Sequence, residues 1–189
     1  PKYYAGGDNM LALIAQSPPG TYDLILSDAE FVQQLNLADY IEQMNPDDYP
    51  LDDMLHEDFS QFPGHWADGK MYSMMLRGGH LGVSYNKNSV TAEEAESYAC
   101  FWKPELEGKV GHFDWHLPTL GMMSLYDGNG AKLWDLDDAQ WAKVQETTMS
   151  LREQVGGFFD YGGTFNGLKN GEMQAMVGIG DWITGVLEK

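Results

Sequence analysis

The spacing of hydrophobic and polar positions changes several times along the chain, and each change predicts an element. Met10, Leu11, Leu13 and Ile14 fall on one side of a helix that follows Gly6-Gly7-Asp8, where Asp8 offers a cap, and Ser17-Pro18-Pro19-Gly20 stops it. Tyr22 to Ser27 (YDLILS) is a nearly continuous apolar run between turn residues, the pattern of a buried parallel strand. Phe31, Val32 and Leu35 then share a helical face whose first turn Asp28 can cap. Asn45 to Gly69 is rich in Asp, Pro and Tyr without a sustained period. It is expected as an irregular stretch with one short helix near Asp52 to Glu57. Met71 to Asn86 has the pattern of two extended pieces broken by Gly78-Gly79.

The second half continues the alternation. An acidic helical stretch spans Thr91 to Ser97, the loop FWKPELEGK follows, and Val110 to Asp114 is a strand candidate. Pro118 starts a helix expected to reach Tyr126. Trp141, Val144, Thr148, Leu151 and Val155, three or four apart, predict one amphipathic helix from Asp137 to Val155, closed by Gly156-Gly157. A short helix over Thr164 to Asn170, a strand over Glu172 to Ile179, and a last helix capped by Asp181 complete the series. Strands alternating with helices imply an α/β fold in two lobes, residues 1–80 and 81–189, linked by an extended crossover near 76–86.

Composition narrows the function. A chain of 189 residues that is 43% hydrophobic can bury a core, and its formal charge of -18 repels phosphate backbones and anionic lipid, which disfavours nucleic acid and membrane-surface partners. The same field attracts cations, although solubility or adaptation to a salty medium is the commoner reason for such a charge. The one cysteine, Cys100, rules out an internal disulfide and has the apolar neighbours of a buried small hydrophobe. No apolar run approaches a membrane span. The chain opens at Pro1 without a start Met or a signal-peptide pattern, so a preceding segment is expected to have been removed.

Tests for enzyme chemistry come out bland. Five histidines show no HExxH spacing; His112 and His116 bracket Asp114 and Trp115, which leaves a metal- or carboxylate-dependent hydrolase using His112, Asp114 and His116 as the rival reading. Acid pairs such as Asp47-Asp48, Asp52-Asp53 and Asp137-Asp138 are what capping and solvation produce. GxSxG, P-loop and GxGxxG patterns are missing from the sequence. What remains are polar and aromatic residues at the ends of predicted strands: Ser27 and Asp28, Arg77 to His80, Asp114 and Trp115, Asp181 and Trp182. Carboxylates pair with an ammonium group, and indole faces hold the cation by contacts of roughly 0.5 to 2 kcal/mol each. Individually, each of these residues is also explained as a cap or a core aromatic.

Four stretches resemble the spermidine- and putrescine-binding proteins of bacterial ABC importers, within the type II periplasmic binding proteins: GGDNMLALIAQSPPGTYDLILSDAEFVQQL, LGVSYNKNSV, SYACFWKPELEGKVGHFD and NGEMQAMVGIGDW. The resemblance implies a type II fold of two α/β lobes joined by crossover strands, with an interlobe cleft and no cofactor. It places Ser27 in the first-lobe ligand loop, Asp114 at a second-lobe strand end and Asp181 near the hinge. It further implies a non-enzymatic, periplasmic or extracellular monomer that captures a small amine and delivers it to the permease subunits of an ABC importer. The family begins before Pro1 and continues past Lys189, so the chain is expected to be incomplete at both ends. Two departures bear on the ligand. Trp115 and Pro118 stand where polyamine binders place further acids, and Leu76-Arg77 replaces an aromatic followed by a small residue. Arg77 favours a carboxylate or phosphonate on the ligand, which keeps a zwitterionic amine, an amino-acid derivative or aminophosphonate, open beside the polyamine.

Overall fold

The computed structural model describes residues 1–180, apart from the side chain of Ala131. The chain divides into two compact units, one spanning Pro1–Gly78 and one beginning at Gly79.

The first unit opens with α1 (Gly7–Ala15), whose N-cap is Gly6 at φ 81°, a left-handed conformation that suits glycine. Asp8 lies in the first turn rather than at the cap, where its charge faces the free N–H groups. Helix α2 (Val32–Leu37) follows a single 3-10 turn, and Met10, Phe31, Val32 and Leu35 form the buried face of the pair. The packing is close, because a Cβ at Gly7 would sit 2.0 Å from the Phe31 ring. Two one-turn helices, α3 (Leu51–Met54) and α4 (Glu57–Ser60), stand where one was expected. A two-residue antiparallel pair, β1 (Trp66–Ala67) and β2 (Lys70–Met71), is joined by Asp68 and Gly69, both at positive φ as a tight hairpin turn requires.

The structure corrects one expectation here. Tyr22 to Ser27 belongs to no strand, and Leu24 is 90% and Leu26 64% exposed. A strand exists only through its ladder, and among the described residues no neighbour supplies one. An apolar run alone therefore overpredicts. Asp28 has the extended backbone of a cap residue, but its side chain makes no capping hydrogen bond.

The second unit is a four-stranded sheet with helices on both faces. In chain order it contains β3 (Ser84–Tyr85), β4 (Val110–Phe113), α5 (His116–Tyr126), α6 (Asp138–Ser150), β5 (Val155–Phe159), α7 (Tyr161–Lys169) and β6 (Ala175–Val177). The strand order is β3-β6-β4-β5, with β4 parallel to both β5 and β6 and β3 antiparallel to β6. Successive side chains of a strand face opposite ways, so Val110, Ala175 and Val177 join Met122, Met123, Val144 and Leu151 on the α5–α6 side. Phe113 and Met176 instead meet Met173, Ile179 and Leu168 on the α7 side. Phe101 and Leu106, from the FWKPELEGK loop, are fully buried in the larger cluster, and Lys103 Nζ ties that loop to Glu94 Oε1 at 2.7 Å and to the Ser89 carbonyl at 3.2 Å.

The helix expected to run to Val155 ends at Ser150, passes through one 3-10 turn, and gives way to β5. Its start is fixed by a reciprocal capping box between Asp137 and Gln140. Gly156-Gly157 is not a helix stop but a bulge. Val110 pairs with Val155 and Gly111 with Gly157, leaving Gly156 as the extra residue, and a Cβ there would strike the Gly108 carbonyl oxygen at 2.1 Å.

Candidate functional site

Because β4, β5 and β6 are parallel, their carboxyl ends lie at one edge of the sheet, the position where open α/β sheets hold ligands. Asp114 and Trp115 follow β4, Asp160 and Tyr161 follow β5, and Gly178 follows β6. Register makes the first two pairs neighbours: Phe113 is opposite Phe159, and the Asp114 backbone N–H donates to the Phe159 carbonyl at 2.9 Å. Both carboxylates are exposed. Asp160 is held in place as the cap of α7, accepting the Gly163 N–H at 2.7 Å. The Phe113 ring lies between two others, with its centroid 4.7 Å from Tyr161 and 6.4 Å from Trp115. Two exposed acids beside the exposed Tyr161 and half-buried Trp115, both packed against the buried Phe113, form a cluster that can accept a cation.

Of the residues gathered at these strand ends, the sequence reading named Asp114 and Trp115 but not Phe113, Asp160 and Tyr161. The signal was an aromatic-Asp-aromatic triplet closing a strand in both places, FDW and FDY. Reading the preceding glycines as a helix end concealed the second.

In the first unit, Ser27 is half-buried and its hydroxyl donates to the Asp28 carbonyl at 3.0 Å. Burial raises the Asp28 carboxyl above its ordinary range, while the positive charge of exposed Arg77 pulls it back. Glu30 is also raised, chiefly by burial, with a backbone hydrogen bond opposing and the Asp28 charge adding to it. Tyr4, whose hydroxyl donates to the Leu26 carbonyl, is raised by burial and then by Asp28. Asp28 and Arg77 therefore share one electrostatic neighbourhood. Asp181 and Trp182 lie outside the described residues.

The histidines do not assemble as the hydrolase reading requires. His112 Nδ1 donates to the Phe113 carbonyl at 2.5 Å, and its ring lies 4.9 Å from Phe158. Burial lowers its pKa, against smaller upward pulls from that hydrogen bond and the Asp114 charge. His116 sits in the first turn of α5. Among the described residues no three His, Cys, Asp or Glu side chains are grouped to hold a metal ion. A concavity of about 480 Å³ in the second unit is lined by residues that include Glu96, Tyr98 and Tyr126, at the far end of α5 from the strand ends. It is therefore separate from the acid-aromatic cluster.

Comparison with known proteins adds a family. A family model described as bacterial extracellular solute-binding protein matches residues 3–189. Spermidine/putrescine-binding periplasmic protein 1 of Haemophilus influenzae is 28% identical over 102 residues, which cover 54% of this chain and 28% of that protein. Among solved structures, a spermidine/putrescine ABC transporter substrate-binding protein from Streptococcus pneumoniae superimposes with TM-score 0.69 at 18% identity, covering 92% of this chain and 52% of that one. The Tp0655 lipoprotein of Treponema pallidum gives TM-score 0.73 at 18% identity over 92% of this chain and 53% of its own. The chain spans about half the length of these solved relatives and less of the curated one. At such identities the superpositions establish the shared α/β fold of type II periplasmic binding proteins.

Proposed function

Since the chain belongs to the bacterial extracellular solute-binding protein family, we propose that it is the substrate-binding component of an ABC importer and that it captures a small alkyl amine of the polyamine type. The observation that carries the reading is the pair Asp114 and Asp160, adjacent at the strand ends and flanked by Phe113, Trp115 and Tyr161. An ammonium group donates charge-assisted hydrogen bonds to the carboxylates, and the aliphatic stem lies on the ring faces. Ser27, Asp28, Arg77, Asp181 and Trp182 complete the proposed set of ligand residues. The names of the Haemophilus influenzae and Streptococcus pneumoniae proteins support the polyamine class.

Capture and release make up the whole cycle in this reading; the protein catalyses nothing. Bound ligand shifts the protein toward the form that docks on the permease subunits, by as much as the ligand prefers that form. The protein works as a monomer outside the cytoplasmic membrane; the family description supports the extracellular part of that reading. No helix among the described residues is long and apolar enough to cross a membrane.

Titration calorimetry of the full-length protein with putrescine and spermidine tests the proposal. A charge-assisted hydrogen bond contributes about 1.5–3 kcal/mol when shielded and less when exposed. Asp114 is exposed, so Asp114→Asn is expected to weaken binding roughly two- to tenfold. Equal affinities in mutant and wild type would show that no ammonium group sits at Asp114.

A further inference from the structure

Side chains of a paired strand alternate between the two faces of the sheet, so register decides which residues stand together. His112 pairs with Phe158 on β5 and with Val177 on β6, and Val177 is buried in the α5–α6 core. His112 and Phe158 therefore lie on that face. The ladder runs on past β4, because the Asp114 N–H still bonds the Phe159 carbonyl, so Asp114 follows His112 on the same face, one position further along. Phe113 and Phe159 take the opposite face with Met173 and Met176, and Tyr161 packs on Phe113 there. The strand ends thus carry a second pair of rings, on the side away from Tyr161.

Phe158 is 68% exposed, while the imidazole beside it is half-buried and fixed: the two ring centroids are 4.9 Å apart, and His112 Nδ1 is bonded to the Phe113 carbonyl at 2.5 Å. One flank of the phenyl ring is therefore backed and the rest is open. Burial lowers the His112 pKa, so near neutral pH the imidazole is uncharged and offers Asp114 no counter-ion. Among the described residues neither Asp114 nor Asp160 has an ion-pair partner. A bare carboxylate followed along one strand face by neutral rings is the complement of an alkylammonium, with charge at one end and hydrocarbon behind it. Asp114 and His112 are two residues apart, about 7 Å along the strand, which a stem of roughly five carbons spans.

We propose that Phe158, backed by His112, is a specificity-determining ligand contact that carries the aliphatic stem of an amine whose ammonium group is held at Asp114, and so makes affinity depend on stem length. The proposal rests on the amine reading above and adds a residue to it. A stem of one or two carbons ends short of the ring and gains nothing from it. A longer one lies along the open phenyl face and takes apolar surface of both partners out of water. The exposure of Phe158 is what permits this, since a ring already covered has no surface left to remove. Only one side of the stem is covered, so each methylene that reaches the ring adds about twofold in affinity instead of the roughly fourfold of complete burial.

Titration calorimetry of the full-length protein with the straight-chain alkylamines from ethylamine to hexylamine, and with putrescine, tests it. Hexylamine is expected to bind roughly tenfold more tightly than ethylamine, about twofold for each methylene that reaches the ring. Phe158→Ala is expected to shrink that ratio to about two- or threefold while leaving ethylamine affinity within about twofold of wild type, and Phe158→Leu, which keeps an apolar surface, to retain most of the ratio. A thermal melt of each variant confirms that it is folded. A hexylamine-to-ethylamine ratio unmoved in Phe158→Ala overturns the proposal; if Asp114→Asn still weakens every amine in that event, the amine reading survives. Failure of hexylamine to bind a protein that does bind putrescine likewise removes the Phe158 contact alone. If instead the ratio collapses in Phe158→Ala while Asp114→Asn costs nothing, the apolar contact stands and the amine reading falls.

Discussion

Gly156→Ala is the sharpest probe of how the strand ends are positioned. Gly156 is the extra residue in the β4–β5 register, and a methyl group there would lie 2.1 Å from the Gly108 carbonyl oxygen. A carbon and an oxygen in contact normally stand about 3.3 Å apart or more, so the clash exceeds 1 Å and is with backbone, which cannot swing aside. Relief requires β5 to retreat from the segment leading into β4, which strains the bond from the Val110 N–H to the Gln154 carbonyl at 3.1 Å. Overpacking costs about 1–3 kcal/mol and a lost backbone hydrogen bond about 1 more, for a total of roughly 2–4 kcal/mol. At roughly 2–4 °C per kcal/mol for a protein of this size, the melting temperature should drop by about 4–16 °C. Gly162→Ala is the matched control. It lies inside α7, its nearest foreign atom is Asp160 Oδ1 at an ordinary 3.7 Å, and it should gain about 0.5–1 kcal/mol. Urea unfolding followed by far-ultraviolet circular dichroism reads both. A Gly156→Ala protein as stable as wild type would refute the bulge geometry, and with it the register that sets Asp160 beside Asp114.

Two further outcomes follow from buried titratable groups. His65 is 2% exposed, with Nδ1 3.0 Å from Ser73 Oγ and Nε2 unpartnered, and burial lowers its pKa against a weaker upward pull from the Phe59 backbone. The unfolded chain therefore binds a proton near the ordinary 6.5 that the folded one refuses. Stability is full above that value, declines as pH falls toward the lowered folded pKa, and levels off below it. Urea midpoints of wild type and His65→Gln between about pH 7.5 and 5.5 should converge toward the acid side, and parallel curves would contradict the buried neutral ring. For Cys100, burial, with the Glu94 charge adding to it, pushes the thiol up to about 11. An aromatic disulfide reagent at about pH 8 should leave the native protein unlabelled and modify one thiol per chain in denaturant; rapid native labelling would show that the core around Phe101 opens readily.

The sequence made the second unit far more legible than the first. Val110 to Phe113, the helix to Tyr126 and the strand ending at Val177 were visible because each carries a strong local period or a bounded apolar run, and neighbours in the fold satisfy it. β5 was not, because Val-Gly-Gly-Phe-Phe lacks alternation and owes its strand state to pairing with β4, a tertiary fact. The misplaced helix end hid Asp160 and Tyr161 for the same reason. YDLILS failed in the opposite direction: its pattern is right for a strand, yet pairing is non-local and Leu24 and Leu26 stay open. Asp114 and Trp115 were legible because they follow a strand whose end was predictable. Phe158 was not, since its place on the face of Asp114 comes from the β4–β5 register.

The open Leu24–Leu26 strip has a practical corollary. Bare aliphatic side chains on a segment that belongs to no ladder among the described residues form a template on which a like segment can dock, and here the main force keeping molecules apart is their mutual negative charge. Dissolved salt trims the reach of that force to about 8 Å at physiological strength. Concentrated stocks of this polypeptide should thus stay clear in dilute buffer and turn cloudy as electrolyte is added, the reverse of ordinary salting-in.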